Sequence, residues 1–547
     1  MNTTTPTGDG VSAAPDWLPD ETTLARLANE LLAAFPGDQA AAAIPGDQAA
    51  AAIPGDQPAA AFPGDQPVPA LPGYQPVTAL PGHLPPAASP GAPGVRPERL
   101  GSGFALPGIG HPAAPSFYFV DGFAPAALPE PTLPAGAPPA FDVEAVRRDF
   151  PILGERINGR RLVWLDNAAT TQKPRAVIDR LGYFYSRENS NVHRAAHTLA
   201  ARATDAYEGA RTTVADFLGA PSSETVIFVR GATEAINLVA QAWGRRYIGT
   251  GDEIVISHLE HHANIVPWQQ LAEQVGAKLK VIPVDDDGQL LLDAYQDLLT
   301  DRTRLVAVSH VSNALGTIVP VSEVIEAAHR AGAKVLIDGA QAVAHVPVDV
   351  RSLDADFYVF SGHKIFAPTG IGVLYGKPEV LEAMPPWQGG GNMIRDVTFE
   401  RTTYQYPPGR FEAGTGSIAD AAALGTALDY VSAIGLPNIA RYEHELLGYA
   451  TREIQTVPGL RLVGTAPEKA SILSFVLDGY RPEDIGTALD KEGIAVRAGH
   501  HCAQPILRRY GLESTVRPSL VMYNTCAEVD LLVAALRRLA AASGRSR

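Results

Sequence analysis

Seven short runs rich in β-branched residues recur between residues 225 and 376: TVIFV (225–229), EIVIS (253–257), LKVIPV (279–284), RLVAVSHV (304–311), KVLID (334–338), DFYVF (356–360) and GVLYG (372–376). Most are separated by helical patterns such as TEAINLVAQAW and VSEVIEAAHRAG. Apolar runs of this length alternating with helices predict a mostly parallel sheet with helices on both faces. In such sheets ligands bind outside the carboxyl ends of the strands.

Polar residues stand at five of those ends: RGATEAINL, HLEHHAN, SHVSNALGT, DGAQAV and SGHKIF. They converge on one crevice. Gly231, Ala232 and Thr233 open a helix after a strand, offering backbone N–H groups to an anion such as a phosphate, and Ser361 and His363 supply further donors. Alone, this is also what simple helix capping would look like. Asp338 ends a buried strand, where a carboxylate without a cation or donors is costly. Lys364 follows in SGHK. A lysine beside a phosphate site and a buried aspartate is the set that pyridoxal 5'-phosphate requires: an amine for the aldehyde, a carboxylate for the protonated ring nitrogen, a helix start for the phosphate.

The first quarter of the chain has another texture. It holds 27 of the 46 prolines, and its 12 acidic residues against three arginines carry −9 of the net charge of −15. A nine-residue repeat runs through it from FPGDQAAAA at Phe35 to LPGHLPPAA at Leu80. Each unit has one large apolar residue and a few alanines, too little to offset a backbone ordering cost of about 1–2 kcal/mol per residue. Residues 36–140 are therefore expected to be a low-complexity, disordered linker. Before it, residues 1–35 hold an amphipathic helix with Leu24, Leu27, Leu31 and Phe35 at helical spacing, which either packs on the folded body or docks a partner. The aromatic segment 116–125 reads as chain laid against that body, with contact to a partner as the alternative.

The amino terminus has neither the basic start nor the apolar core of a signal peptide, and no run approaches a membrane span. A soluble, cytoplasmic protein is expected. The acidic balance argues against a nucleic-acid partner. Two cysteines, Cys502 and Cys526, can build neither a disulfide framework nor a four-cysteine zinc site, and no metal is expected. Cys502 lies among polar neighbours in GHHCAQP, which suits a reactive thiol; Cys526, at a predicted helix start, reads as incidental.

The segments LDNAATTQKP, NSNVHRAAHTLA, EHHANIVPWQ, HVSNALGT, DGAQAVAH, FYVFSGHKIFAPTGIGVLYG, FEAGTGS, RAGHHCAQP and RPSLVMYNT resemble, in unbroken order from Phe141 onward, the SUF-type (group II) cysteine desulfurases, class V pyridoxal-phosphate enzymes. The resemblance implies an α/β body of PLP-dependent transferase fold type I: a large, mostly parallel-sheet cofactor domain over about 165–405 and a smaller α+β domain from about 141–164 plus 425–547. It implies that Lys364 holds the cofactor covalently, that Asp338 faces its ring nitrogen, that Gln341 lies near its phenolic oxygen, and that His261 stacks on the ring and moves protons, with His262 structural. Ala232, Thr233, Ser361 and His363 would bind the phosphate, with Gly414 and Thr415 reaching the phosphate of a neighbouring subunit in a homodimer. Arg517 and Asn313 would hold the substrate carboxylate, and Cys502 would accept sulfur from L-cysteine as a persulfide. The implied partners are a SufE-like or SufU-like sulfur acceptor and a scaffold for iron-sulfur cluster assembly. Selenocysteine lyase and cysteine sulfinate desulfinase chemistry on the same fold, or a non-catalytic scaffold, are the alternatives.

Overall fold

The computed structural model describes residues 141–193 and 197–543; the readings made on residues 1–140 lie outside it. Seven strands form the main sheet: β1 (Val226–Val229), β2 (Glu253–Ser257), β3 (Lys278–Ile282), β4 (Thr303–Ser309), β5 (Lys334–Asp338), β6 (Phe357–Ser361) and β7 (Gly372–Gly376). Their spatial order is β1-β7-β6-β5-β4-β2-β3. From β3 to β6 every pair is parallel, whereas β7 runs antiparallel to both β1 and β6. The register sets Ser309 beside Asp338, so the polar ends of β4 and β5 lie level.

Between their ends the inner strands are apolar, because both faces are covered. Around them lie α1 (Arg175–Arg187), α2 (Thr198–Leu218), α3 (Ala232–Leu238), α4 (Val266–Val275), α5 (Val321–Arg330) and α6 (Ile418–Ile434). Val255, Val306, Val308, Val335 and Ile337 pack in one core with residues of α1, α2, α5 and α6. Their alternating neighbours Ile254, Ile256, Leu305, Ala307 and Leu336 pack in a second core with α3 and α4. The edge strand β3 is the exception: Lys278 is exposed and Lys280 half-buried, which puts charge on the rim and discourages pairing with another chain.

Close backbone approach fixes the corner where α3 begins. A side-chain carbon added at Gly372 would sit 2.5 Å from Gly231 Cα and 2.7 Å from the Phe360 carbonyl oxygen. Neither is a flexible atom that could move aside. Gly372→Ala is expected to destabilise the protein by about 1–3 kcal/mol through overpacking, visible as a lower thermal midpoint; an unchanged midpoint would contradict this packing.

A second, antiparallel sheet contains β8 (Leu460–Val463), β9 (Ser474–Leu477), β10 (Arg497–Gly499) and β11 (Thr515–Arg517), ordered β8-β9-β11-β10. It has its own core with α7 (Leu436–Gln455) and α8 (Cys526–Ser543). Val163–Trp164 pairs in parallel with Ile494–Ala495, tying the start of the described chain to this part. The boundary at 425 falls inside α6, whose buried residues share a core with α2. Among the described residues no helix is long and apolar enough to cross a membrane.

Candidate active site

The carboxyl ends of β4, β5 and β6 and the starts of α3 and of the turn after β2 open onto one cavity of about 590 Å³. Lys364, Asp338, Gln341, His261, Ala232, Thr233, Ser361, His363, Asn313, Arg517 and Cys502 all line it. These include residues from strands of both sheets.

Lys364 sits one turn beyond β6, in the short helix Gly362–Lys364. The loop at 166–173 clamps that turn: the Thr171 N–H donates to the His363 carbonyl at 3.0 Å, and the Phe366 N–H donates to Thr171 Oγ1 at 2.8 Å. Burial and the Arg517 charge bring the Lys364 pKa down to about 8, against the pull of Asp338 and Cys502. Asp338 is buried at the end of β5, with Oδ1 accepting the Ala340 N–H at 2.9 Å. Its pKa is raised because burial outweighs that hydrogen bond and the attraction of Lys364. Such a carboxylate favours a cationic N–H partner.

At the opposite side the Ala232 N–H, at the start of α3, donates to Ser361 Oγ at 2.9 Å, and Thr233 is exposed to the cavity mouth. After Leu238 the same helix runs on through a π-helical segment, Val239–Gly244. His261 Nδ1 accepts the Ala263 N–H at 3.0 Å. Burial and the charges of Lys364, His262 and Arg517 depress its pKa to about 3, so it is a neutral imidazole at working pH. Beneath it, fully buried Glu260 accepts from Ser257 Oγ, Asn264 Nδ2, and the N–H and hydroxyl of Ser309, binding the ends of β2 and β4 to the turn that carries His261.

Arg517 is the buried cation of the site. Its Nη1 donates to the Asn313 carbonyl at 2.7 Å and Nη2 lies 3.5 Å from Asp166 Oδ1. Nε has no hydrogen-bond partner among the described residues. A guanidinium held from one side with a free donor suits a carboxylate. Arg497 lies opposite Arg517 across β10 and β11 and pairs with the same Asp166 at 2.9 Å.

At three residues the structure adds to the sequence reading. Asn313 Nδ2 donates to the His501 carbonyl at 2.7 Å, so it ties down the cysteine loop as well as facing the cavity. Gly414 and Thr415, expected to serve a neighbouring subunit, are exposed and lie outside this chain's own cavity. Thr415 instead borders a second one of about 680 Å³ with His193, Arg230 and Glu234. Sequence reading passed over Asp166, Arg497 and Glu260, and took His500 only as a polar neighbour of Cys502. Asp166 and Arg497 lie inside quoted motifs, yet a charge pair made by strand register leaves no local sign.

Taken together, a lysine amine, a buried carboxylate, N–H and hydroxyl donors at a helix start and a neutral imidazole fit pyridoxal 5'-phosphate, group by group. Comparison with known proteins agrees. Residues 163–532 match the class-V aminotransferase family. The cysteine desulfurase of Synechococcus elongatus is 68% identical over 399 residues, which are 73% of this chain but 64% of that protein's length. A probable cysteine desulfurase of Vibrio cholerae is 51% identical over 398 residues, 98% of its length. The crystal structure of an Escherichia coli cysteine desulfurase superposes with a TM-score of 0.68 at 42% identity, covering 73% of this chain and 98% of the other. The chain belongs to the class-V aminotransferase family and, within it, to the cysteine desulfurases, a family of pyridoxal-phosphate enzymes.

Proposed function

We propose that the protein converts L-cysteine to L-alanine and carries the released sulfur as a persulfide on Cys502. The observation that supports this most is that the exposed thiol of Cys502 and the amine of Lys364 face one cavity, close enough for the charge on each to act on the other. Lys364 would hold the cofactor covalently, Asp338 its ring nitrogen, Gln341 its phenolic oxygen, and Ala232, Thr233, Ser361 and His363 its phosphate. When bound, pyridoxal 5'-phosphate supplies an electron sink for charge developing on the substrate.

The side chains divide the remaining work. Arg517 binds the substrate carboxylate through its free donor, with Asn313 beside it. The Lys364 amine would take the Cα proton. Cys502 Sγ attacks the substrate sulfur: the new S–S bond forms as the Cβ–S bond breaks, and the bonding electrons stay with carbon. Protons returned to carbon by Lys364 and His261 complete alanine. Thiol plus cysteine thus give persulfide plus alanine, with no outside oxidant or reductant.

The lowered Lys364 pKa has a measurable sign. Burial disfavours the cation, so at pH 8 about half the amine is neutral, where an ordinary lysine near 10.4 would be under about 1% neutral. Covalent loading of the cofactor onto the apo-protein is expected to quicken as pH rises and to level off just above pH 8. A midpoint near 10 would contradict the geometry.

The same reading places the protein among the group II, SUF-type enzymes. It works as a cytoplasmic homodimer in which Gly414 and Thr415 serve the partner's site, and it hands sulfur to a SufE-like or SufU-like acceptor for iron-sulfur cluster assembly. Alanine formation from L-cysteine, L-selenocysteine and L-cysteine sulfinate, with and without such acceptors, tests it. Cysteine should be turned over and the acceptor should accelerate it; alanine from selenocysteine or sulfinate alone would overturn the assignment.

A further inference from the structure

The turn that presents the thiol is strained. His501 and Cys502 both have φ of 53°, in the left-handed region that residues other than glycine rarely adopt; such positions cost about 1–3 kcal/mol each and persist only where surroundings enforce them. Besides the Asn313 amide on the His501 carbonyl and Thr515 Oγ1 at the His501 ring, two further imidazoles hold the turn. The Cys502 N–H donates to His500 Nδ1 at 3.0 Å, and the Gln504 N–H donates to His262 Nε2 at 3.3 Å. The His262 N–H in turn donates to the Cys502 carbonyl at 2.7 Å. The two rings stack, with centroids 5.8 Å apart and planes at 27°.

Every one of these contacts bears on residues 500–504, the turn that carries Sγ, and His262 follows directly on His261, which lines the cavity. In both rings the nitrogen facing the loop must accept, which fixes the tautomers: Nε2–H on His500 and Nδ1–H on His262. Burial holds the pKa of His262 below the ordinary imidazole value, consistent with an acceptor.

We infer that His262 and His500 form a clamp of two acceptor imidazoles that sets the position of Cys502 Sγ against the substrate sulfur. Both are positioning residues, and the inference rests on the reading of Cys502 as sulfur acceptor. A thiol displaced by about 1 Å can lose on the order of 100-fold in rate. The clamp therefore acts on kcat for sulfur transfer and leaves substrate binding alone.

Amide isosteres separate this from a merely structural role. Asn at 500 places its oxygen near the Nδ1 position, and Gln at 262 places its oxygen near the Nε2 position. His500→Asn and His262→Gln keep the acceptor; His500→Gln and His262→Asn misplace it. In the cofactor-loaded enzyme, the misplacing pair should lose about 10–100-fold in kcat for alanine formation with KM for L-cysteine and the cofactor absorbance unchanged. The acceptor-keeping pair should stay within about threefold of wild type in kcat. Equal loss in both pairs, no loss in either, or loss accompanied by altered KM or cofactor absorbance would overturn the clamp. Cys502→Ser in the same assay separates the two claims. If it turns over normally, the nucleophile assignment falls; if it is inactive while all four histidine variants behave as wild type, only the clamp falls.

Discussion

Replacing Cys502 with serine should leave a folded, cofactor-loaded enzyme that forms no measurable alanine from L-cysteine. Cys502 is exposed on its turn and has no side-chain partner whose loss would unfold the chain among the described residues. The backbone contacts that hold the turn, from His262 and to His500, do not involve sulfur. Serine therefore preserves the shape and removes the chemistry. A hydroxyl is far less acidic and less nucleophilic towards sulfur than a thiol, so the rate should fall on the order of 10³-fold or more. Absorbance of the bound cofactor, and its change on adding L-cysteine, should persist, showing that binding and the first proton transfer survive. Unchanged alanine formation would contradict the assignment.

Lys364→Ala should have the other large effect. Among the described residues its amine is the one lysine nitrogen that borders the cavity with Asp338, and its lowered pKa makes it available as a neutral nucleophile near pH 8. Without it the cofactor can be held only by Asp338, the imidazole and the phosphate donors. Borohydride should then fail to fix cofactor to the protein, and alanine formation should fall on the order of 10⁴-fold, since covalent attachment and proton transfer are lost together. Cofactor that still becomes fixed on reduction would mean that another lysine serves.

Much of this site was legible in the sequence because parallel sheets put chemistry at strand ends. The runs at 253–257, 334–338 and 372–376 correspond to β2, β5 and β7 as they stand, and the other strands start or stop within one or two residues of the run. Asp338 ends β5, and Lys364 and His261 come three and four residues after β6 and β2, so local order sufficed to place them together. What stayed hidden depends on distant register. The pairing of Arg497 with Arg517 across β10 and β11, and the Asp166 carboxylate between them, arise only when the second sheet forms. His500 looked like one polar neighbour among several until its ring was seen stacked on His262. Asn313 shows a similar limit: its type suits a substrate carboxylate, but its amide also holds the His501 carbonyl. Thr415 borders a different cavity of the same chain, a placement that no local pattern announces.

The most direct test of the central claim is a single-turnover reaction of the cofactor-loaded protein with L-cysteine, without reductant or acceptor, followed by mass analysis of the Cys502 peptide and quantification of alanine. The predicted result is one extra sulfur atom on Cys502, none on Cys526, and alanine in equal amount. Alanine released with free sulfide while Cys502 remains unmodified would contradict it.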